Sequence, residues 1–241
     1  MTEKVEEGAK DECTIFLLQC ILIAMSITVD RVLTDLRKLY PKADCTLDWN
    51  TPLELLVATI LAAQCTDKRV NIVGKTLFKK YKTPKDYLNV PIEELEEDIR
   101  TCGTFHMKAL AIQESSATII NEFDGEVPQT MEGMLKLRGV GRKTAAVVLG
   151  TAFGVIEGIP IDTHNIRLLT RLGLTKSKYQ DKIELEMMKS TPKSDWLKLS
   201  HLMVAHGRAV CSASNRNCNQ CPLSNDCPSS LTEGKKDLSK L

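Results

Sequence analysis

Residues 137–154 read LRGVGRKTAAVVLGTAFG, and the organisation of the whole chain can be read outward from them. Thr130 can cap a short helix running through Lys136, and Arg142 to Phe153 reads as the next helix. Between the two lies a tight turn holding Gly139 and Gly141. Glycine suits positive φ and close approach by another backbone. A helix N-terminus at such a turn presents unpaired N–H groups with partial positive charge, which suits a phosphate. Lys136, Arg138, Arg142 and Lys143 crowd cations around it with no acid between them. Contacts of that kind go to the sugar-phosphate backbone and carry little sequence information. The plainer reading is a helix–turn–helix corner with solvated lysines.

The same helical punctuation recurs in both directions. Val29, Leu33, Leu36 and Tyr40 fall at helical spacing, and Pro41 stops them. Thr51-Pro52-Leu53-Glu54 reads as a capping box with Pro at the first helical position, and Thr83-Pro84-Lys85-Asp86 opens another helix in the same manner. The run LELLVATILAA behind Thr51 is apolar all round, which predicts a central core helix. Ile92, Leu95 and Ile99 mark a short helix ending near Gly103. Ile112, Ser116, Ile119 and Phe123 mark one closed by Asp124-Gly125, and Trp196, Leu199, Met203 and His206 mark the last. No convincing run alternates with period two, and aromatics are only 5%, which disfavours a β-rich fold. The fold class is all-α. The 241 residues make one large domain or two small ones, and without a repeat or long linker any second domain must interleave with the first.

Composition excludes more than it assigns. Hydrophobic residues at 43% and charged residues at 26% exclude wholesale disorder and collagen-like structure. The net charge of +1 is not the strongly basic signature of a nucleic-acid binder. The one long apolar run, TIFLLQCILIAMSITV at 14–29, is shorter than the roughly 20 residues of a spanning helix. Its acidic leader does not resemble the basic start of a signal peptide. The working chain is expected to start at Met25, with 1–24 as an extension, and 229–241 is expected to be a disordered tail. A cytoplasmic monomer is the expectation.

Three constellations carry chemistry. Lys143, in the first turn of its helix, faces the positive end of the dipole, which favours the neutral amine a Schiff-base nucleophile needs. Its plainer reading is a phosphate contact. In IPIDTHNIR, 159–167, Asp162 is a good N-cap, worth about 0.5–2 kcal/mol, and a capped carboxylate is also rigid and ionised. His164 reads as a ligand or base, or as a structural first-turn histidine. Nine cysteines include Cys211, Cys218, Cys221 and Cys227 in the pattern C-x6-C-x2-C-x5-C. Four thiolates at this density suit tetrahedral zinc or a 4Fe–4S cluster in a reducing compartment. The cysteines at 13, 20, 45, 65 and 102 read as buried small hydrophobes.

Taken together, LAAQCTD at 61–67, the stretch 137–154, IDTH at 161–164 and the cysteine pattern resemble the endonuclease III family of DNA glycosylases over about residues 28–228. The resemblance implies two helical domains flanking a DNA-binding cleft. One is a six-helix domain, 49–160, with the helix–hairpin–helix. The other, 25–48 and 161–228, carries a 4Fe–4S cluster on the four cysteines. It implies that Lys143 attacks the sugar C1′ of a flipped nucleotide, with Asp162 as its carboxylate partner. The product Schiff base permits β-elimination, so base removal and strand nicking go together on double-stranded DNA with an oxidised pyrimidine or abasic site. Gln64 is implied to enter the duplex, Gly139, Val140, Gly141 and Arg142 to hold phosphate, and Arg216 to touch DNA. The sequence departs from the family where a bulky apolar wedge is expected: Thr104 stands there, and Phe105 follows. The competing expectations are a thymine or uracil mismatch glycosylase on the same fold, a non-catalytic iron–sulfur DNA-binding module and a zinc-binding interaction protein.

Overall fold

The computed structural model describes residues 27–232, and among these the regular structure is helical, with no strand. The expectations for residues 1–24, for nearly all of the apolar run and for the tail beyond 232 lie outside the described residues. No helix among those described is long and apolar enough to cross a membrane. The chain divides into two compact units. One holds Ala43–Asp162 and Glu184–His201; the other holds residues 27–42, Thr163–Ile183 and residues 202–232.

The first unit is built around α2, Pro52–Leu61. Leu53, Leu55, Leu56, Val57, Ala58, Ile60 and Leu61 are all buried, because the helix packs against α3 (Asp67–Lys80), α6 (Phe105–Glu122) and α8 (Arg142–Ala152). Between these run α4 (Pro84–Asn89), α5 (Ile92–Ile99) and α7 (Met131–Leu135). Threonine side chains cap four of these helices. Thr51, Thr66, Thr83 and Thr130 each accept from the backbone N–H three residues on, which satisfies one of the orphan donors of a helix end. The two Thr-Pro starts differ in detail. At Thr83 the box closes, with Asp86 accepting from the Thr83 N–H at 2.8 Å. At Thr51 it does not: Glu54 reaches one residue further out and accepts from the N–H of Asn50 at 2.7 Å and from its side chain at 3.0 Å.

In the second unit α1, Val29–Leu39, starts at Thr28 and buries Val29, Val32, Leu33 and Leu36. α9, Thr163–Arg171, buries Leu168 and Leu169. The last two helices, α10 (Gln180–Ser190) and α11 (Trp196–Ala209), contribute to both units. In the second unit, the Tyr40 hydroxyl just past α1 lies 3.1 Å from His206 Nδ1. Within the first unit, Lys198 donates to the Ala43 carbonyl and the Ser200 hydroxyl to that of Pro160, both at 2.6 Å.

Candidate active site

The turn between α7 and α8 is shaped from within. Met134 and Leu137 carbonyls accept from the N–H groups of Leu137 and Val140, both at 3.2 Å, and Gly139 adopts φ +77°. A Cβ on Gly139 would stand 3.1 Å from the Ala111 Cβ. Gly141 is glycine for another reason. Its φ of −91° suits any residue, and nothing lies within 4 Å of where its Cβ would be. The space above it is open. Ala145 is the first residue of α8 whose N–H takes a helical bond, to the Gly141 carbonyl at 2.9 Å. The N–H groups of Lys143 and Thr144 therefore lie at an open, electropositive helix end. Val140 offers less than expected of it: its side chain is buried and its N–H is taken by Leu137.

The four cations around the turn are not a field of free charge. Lys136 pairs with Glu122 at 2.9 Å, Arg138 with Glu114 at 2.6 Å and Arg142 with the buried Glu184 at 2.9 Å. Arg142 also donates to the Glu157 carbonyl. The acids come from α6 and α10, remote in sequence. Lys143 differs: it is exposed and has no carboxylate partner among the described residues. Its charge is felt at Cys45, whose thiol is pushed up by burial and drawn down by the Leu47 backbone and by Lys143. Cys45 is only half-buried, as is Cys65, whereas Cys102 is fully buried as expected. The segment after Cys45 is pinned to α3, with Thr46 donating to Asp67 and Asn71 to the Thr46 carbonyl. Asp162 ends the first unit's long segment, half-buried and directly ahead of α9. His164, in the first turn of α9, receives a bond from Arg167 at 3.1 Å, a structural arrangement.

Three non-glycine residues among those described have left-handed backbone: Asp124 in the stop after α6, and Gln64 and Thr104 in two further loops. Gln64, exposed, has φ +53°, three residues beyond the end of α2. Thr104, exposed, has φ +44° and directly precedes α6. Phe105 does not project beside it. The ring is half-buried against the core, 4.1 Å centroid to centroid from His106.

Cys211, Cys218, Cys221 and Cys227 line one cavity together with Arg171 and His206. All four thiols are free. Burial, with the other three thiols crowding in, pushes Cys221 up to about 11, and burial raises Cys227 as well. Arg171 donates to Cys211 Sγ at 3.2 Å, and His206 Nε2 lies 3.3 Å from Cys221 Sγ. Burial holds His206 down at about 4, so its ring is neutral. Arg216, expected at DNA, lines the same cavity and donates to the Ser229 carbonyl at 2.9 Å. Among the described residues no three His, Cys, Asp or Glu side chains are grouped as ligands of a single metal ion.

Comparison with known proteins decides the family. Residues 57–193 match the HhH-GPD superfamily of base excision DNA repair proteins. Endonuclease III of Synechocystis sp. is 50% identical over 198 residues, which cover 82% of this chain and 90% of that protein. The chain belongs to the endonuclease III family. As a member of that family it is a base excision repair enzyme, a DNA glycosylase and AP lyase. Endonuclease III of Bacillus subtilis is 45% identical, covering 84% of this chain and 92% of its own. A trapped endonuclease III–DNA covalent intermediate superposes with a TM-score of 0.80 at 43% identity, covering 83% and 96% of the two chains. A thermostable thymine-DNA glycosylase, 22% identical with a TM-score of 0.73, shares the fold. Sequence reasoning missed Glu184 and the buried Lys108. Nothing local marks Glu184 as the partner of Arg142, 42 residues away. Lys108 lies ahead of the apolar pattern that marks its helix, and only the fold reveals its burial.

Proposed function

We propose that this enzyme removes oxidised pyrimidines of the thymine-glycol type from double-stranded DNA and nicks the resulting abasic site through a Schiff base on Lys143. One observation carries the reading. Of the four cations at the hairpin, three are held by carboxylates, and Lys143 is exposed with no carboxylate partner among the described residues. An exposed amine that no carboxylate holds is placed to reach carbon as a nucleophile.

The hairpin would hold phosphate through backbone N–H groups at the open space over Gly141, with the paired cations contributing little free charge. The target nucleotide is extruded, which is cheapest where damage already weakens pairing and stacking. Lys143 Nζ then bonds to C1′ as the glycosidic bond breaks, and the base leaves with the bond's electron pair and takes up a proton. Asp162 would offset the positive charge that develops on the sugar and receive the proton the amine sheds. The sugar ring opens to the imine. Loss of a C2′ proton expels the 3′ phosphate, which nicks the strand on that side. Gln64 and Thr104, exposed at the tips of their loops, would fill and brace the vacated duplex.

The four cysteines supply the four thiolates that a 4Fe–4S cluster takes. Four free thiols around a shared cavity, with Arg171 beside one of them, suit a negatively charged cluster. When bound it would shape residues 211–227, the loop held at its start by Arg167 and Arg171.

Borohydride, which reduces a Schiff base to a stable adduct, tests the reading on thymine-glycol and abasic duplexes. Covalent trapping on both is expected, with the adduct on Lys143. Trapping on the abasic duplex alone would refute the substrate and redirect it to mismatched thymine or uracil. No trapping on either would refute the lysine mechanism.

A further inference from the structure

Lys108 lies in the first turns of α6 and is 4% exposed. Its Nζ donates to two backbone carbonyls, Leu61 at 2.9 Å and Cys102 at 2.8 Å. No carboxylate is among the groups that set its charge. Burial pushes the ammonium down, and only the thiols of Cys65 and Cys102 favour the charged form. A buried cation with no counter-ion is costly. What it holds explains its place.

The two acceptors are the roots of the Gln64 and Thr104 loops, each of which carries a non-glycine residue in left-handed backbone. Leu61 is the last residue of α2, at the negative end of its dipole, and Gln64 follows three residues later at φ +53°. Cys102 ends the 3-10 turn Arg100–Cys102, and Gly103 at φ +67° and Thr104 at φ +44° follow it. A left-handed non-glycine residue costs about 1–2 kcal/mol and persists only where its surroundings impose it. One ammonium thus ties together the bases of both loops.

We propose that Lys108 is a positioning residue for nucleotide extrusion: it clamps the Gln64 loop and the Thr104 loop at a fixed separation, so that both enter the duplex from one rigid base. The inference rests on the proposed reading in which these loops meet DNA. The clamp matters for a paired substrate, where stacking must be broken, and not for a single strand, where nothing has to be opened.

The test uses the full chain with Lys108→Met, which keeps the length and removes the donors, and Lys108→Gln, a polar replacement that covers the case of a Met variant that fails to fold. Single-turnover release of thymine glycol from a duplex is expected to fall about 10–100-fold, with nicking of a single-stranded abasic site within about twofold of the parent. A 2-aminopurine opposite the lesion should brighten on binding to the parent, as its stacking is lost, and stay dim with the variants. Equal losses on both substrates, no loss on either, or undiminished brightening would overturn the clamp. Gln64→Ala separates the two layers. If it shows the selective duplex loss and the Lys108 variants do not, the clamp alone fails. If Gln64→Ala leaves duplex release unchanged, the loop reading fails and takes the clamp with it.

Discussion

The two hairpin glycines should respond to the same substitution in opposite ways. Gly139→Ala forces a Cβ into left-handed backbone, costing about 1–2 kcal/mol, and sets it 3.1 Å from the Ala111 Cβ, so α6 must yield as well. A total near 2 kcal/mol corresponds to a fall in melting temperature of about 4–8 °C for a chain of this size. Gly141→Ala meets no atom within 4 Å and needs no change of φ. The weaker N-cap and the reduced freedom of the unfolded chain, each below about 1 kcal/mol, oppose one another, so melting should move by less than about 2 °C. DNA binding should show the reverse order of directness. A methyl over the open helix end holds a phosphate away from the N–H groups, and losing one charge-assisted hydrogen bond of about 1.5–3 kcal/mol weakens affinity about 10–100-fold. Fluorescence anisotropy with an undamaged duplex and with one carrying an abasic-site analogue, alongside thermal melting, reads both effects. Gly141→Ala should weaken the two duplexes alike at unchanged stability. Parent-like affinity for both would refute phosphate binding at the hairpin, and a loss confined to the damaged duplex would show that the turn reads the lesion.

Lys143→Ala should abolish nicking and borohydride trapping while leaving binding of an abasic-analogue duplex within about threefold, because the backbone donors that hold phosphate remain; normal nicking would remove Lys143 from the chemistry. Cys218→Ser should lower the iron content of the purified protein and destabilise the unit that holds residues 202–232; full iron with unchanged melting would take Cys218 out of the ligand set. The Asp86 carboxylate, held below its usual range by the N–H groups of Lys82 and Thr83, supplies stability that is present above the unfolded pKa near 3.9 and lost as pH falls through its lower folded value. Asp86→Asn should therefore flatten the decline of melting temperature below about pH 4, and an unchanged decline would show that the capping box contributes nothing.

Much of the fold was legible because its helices announce themselves locally. The Thr-Pro starts, the all-apolar α2 and the Asp124-Gly125 stop depend only on neighbours in sequence, and each lies where the pattern puts it. α10 was not legible, since only Ile183 and Met187 mark its inner face and Leu185 lies off it. The structure buries Ile183 and Met187 and leaves Leu185 58% exposed. α6 begins at Phe105, well ahead of its apolar pattern, because its early inner positions include Lys108 and, further on, Ser115 and Ser116, all buried polar groups satisfied by carbonyls. The capping motif at Thr51 was half-legible: the threonine behaves as read, and only packing decides that Glu54 turns to Asn50. In the site, residue types and spacing brought out Lys143, Asp162 and the cysteines. They could not show that Arg138 and Arg142 are neutralised by Glu114 and Glu184, because ion pairs between distant segments leave no local trace.

The unit that holds the four cysteines is assembled from three separate stretches of chain, and that imposes a schedule on synthesis. α1 leaves the ribosome about 120 residues before Thr163, an interval of roughly 6–24 s at ~5–20 residues per second. During that time the faces of Val29, Val32, Leu33 and Leu36 have no partner from their own unit. The stretch Ala43–Asp162, by contrast, holds the buried cluster that runs from Leu53 to Leu149 by the time Leu149 is made. The hairpin is thus complete while the cysteine loop is still untranslated, so a cluster on the four cysteines could form only after Cys227 has been made. A premature stop before residue 211 would leave a chain with the hairpin and its lysine but without any of the four cysteines, whose failure would be one of assembly and not of chemistry.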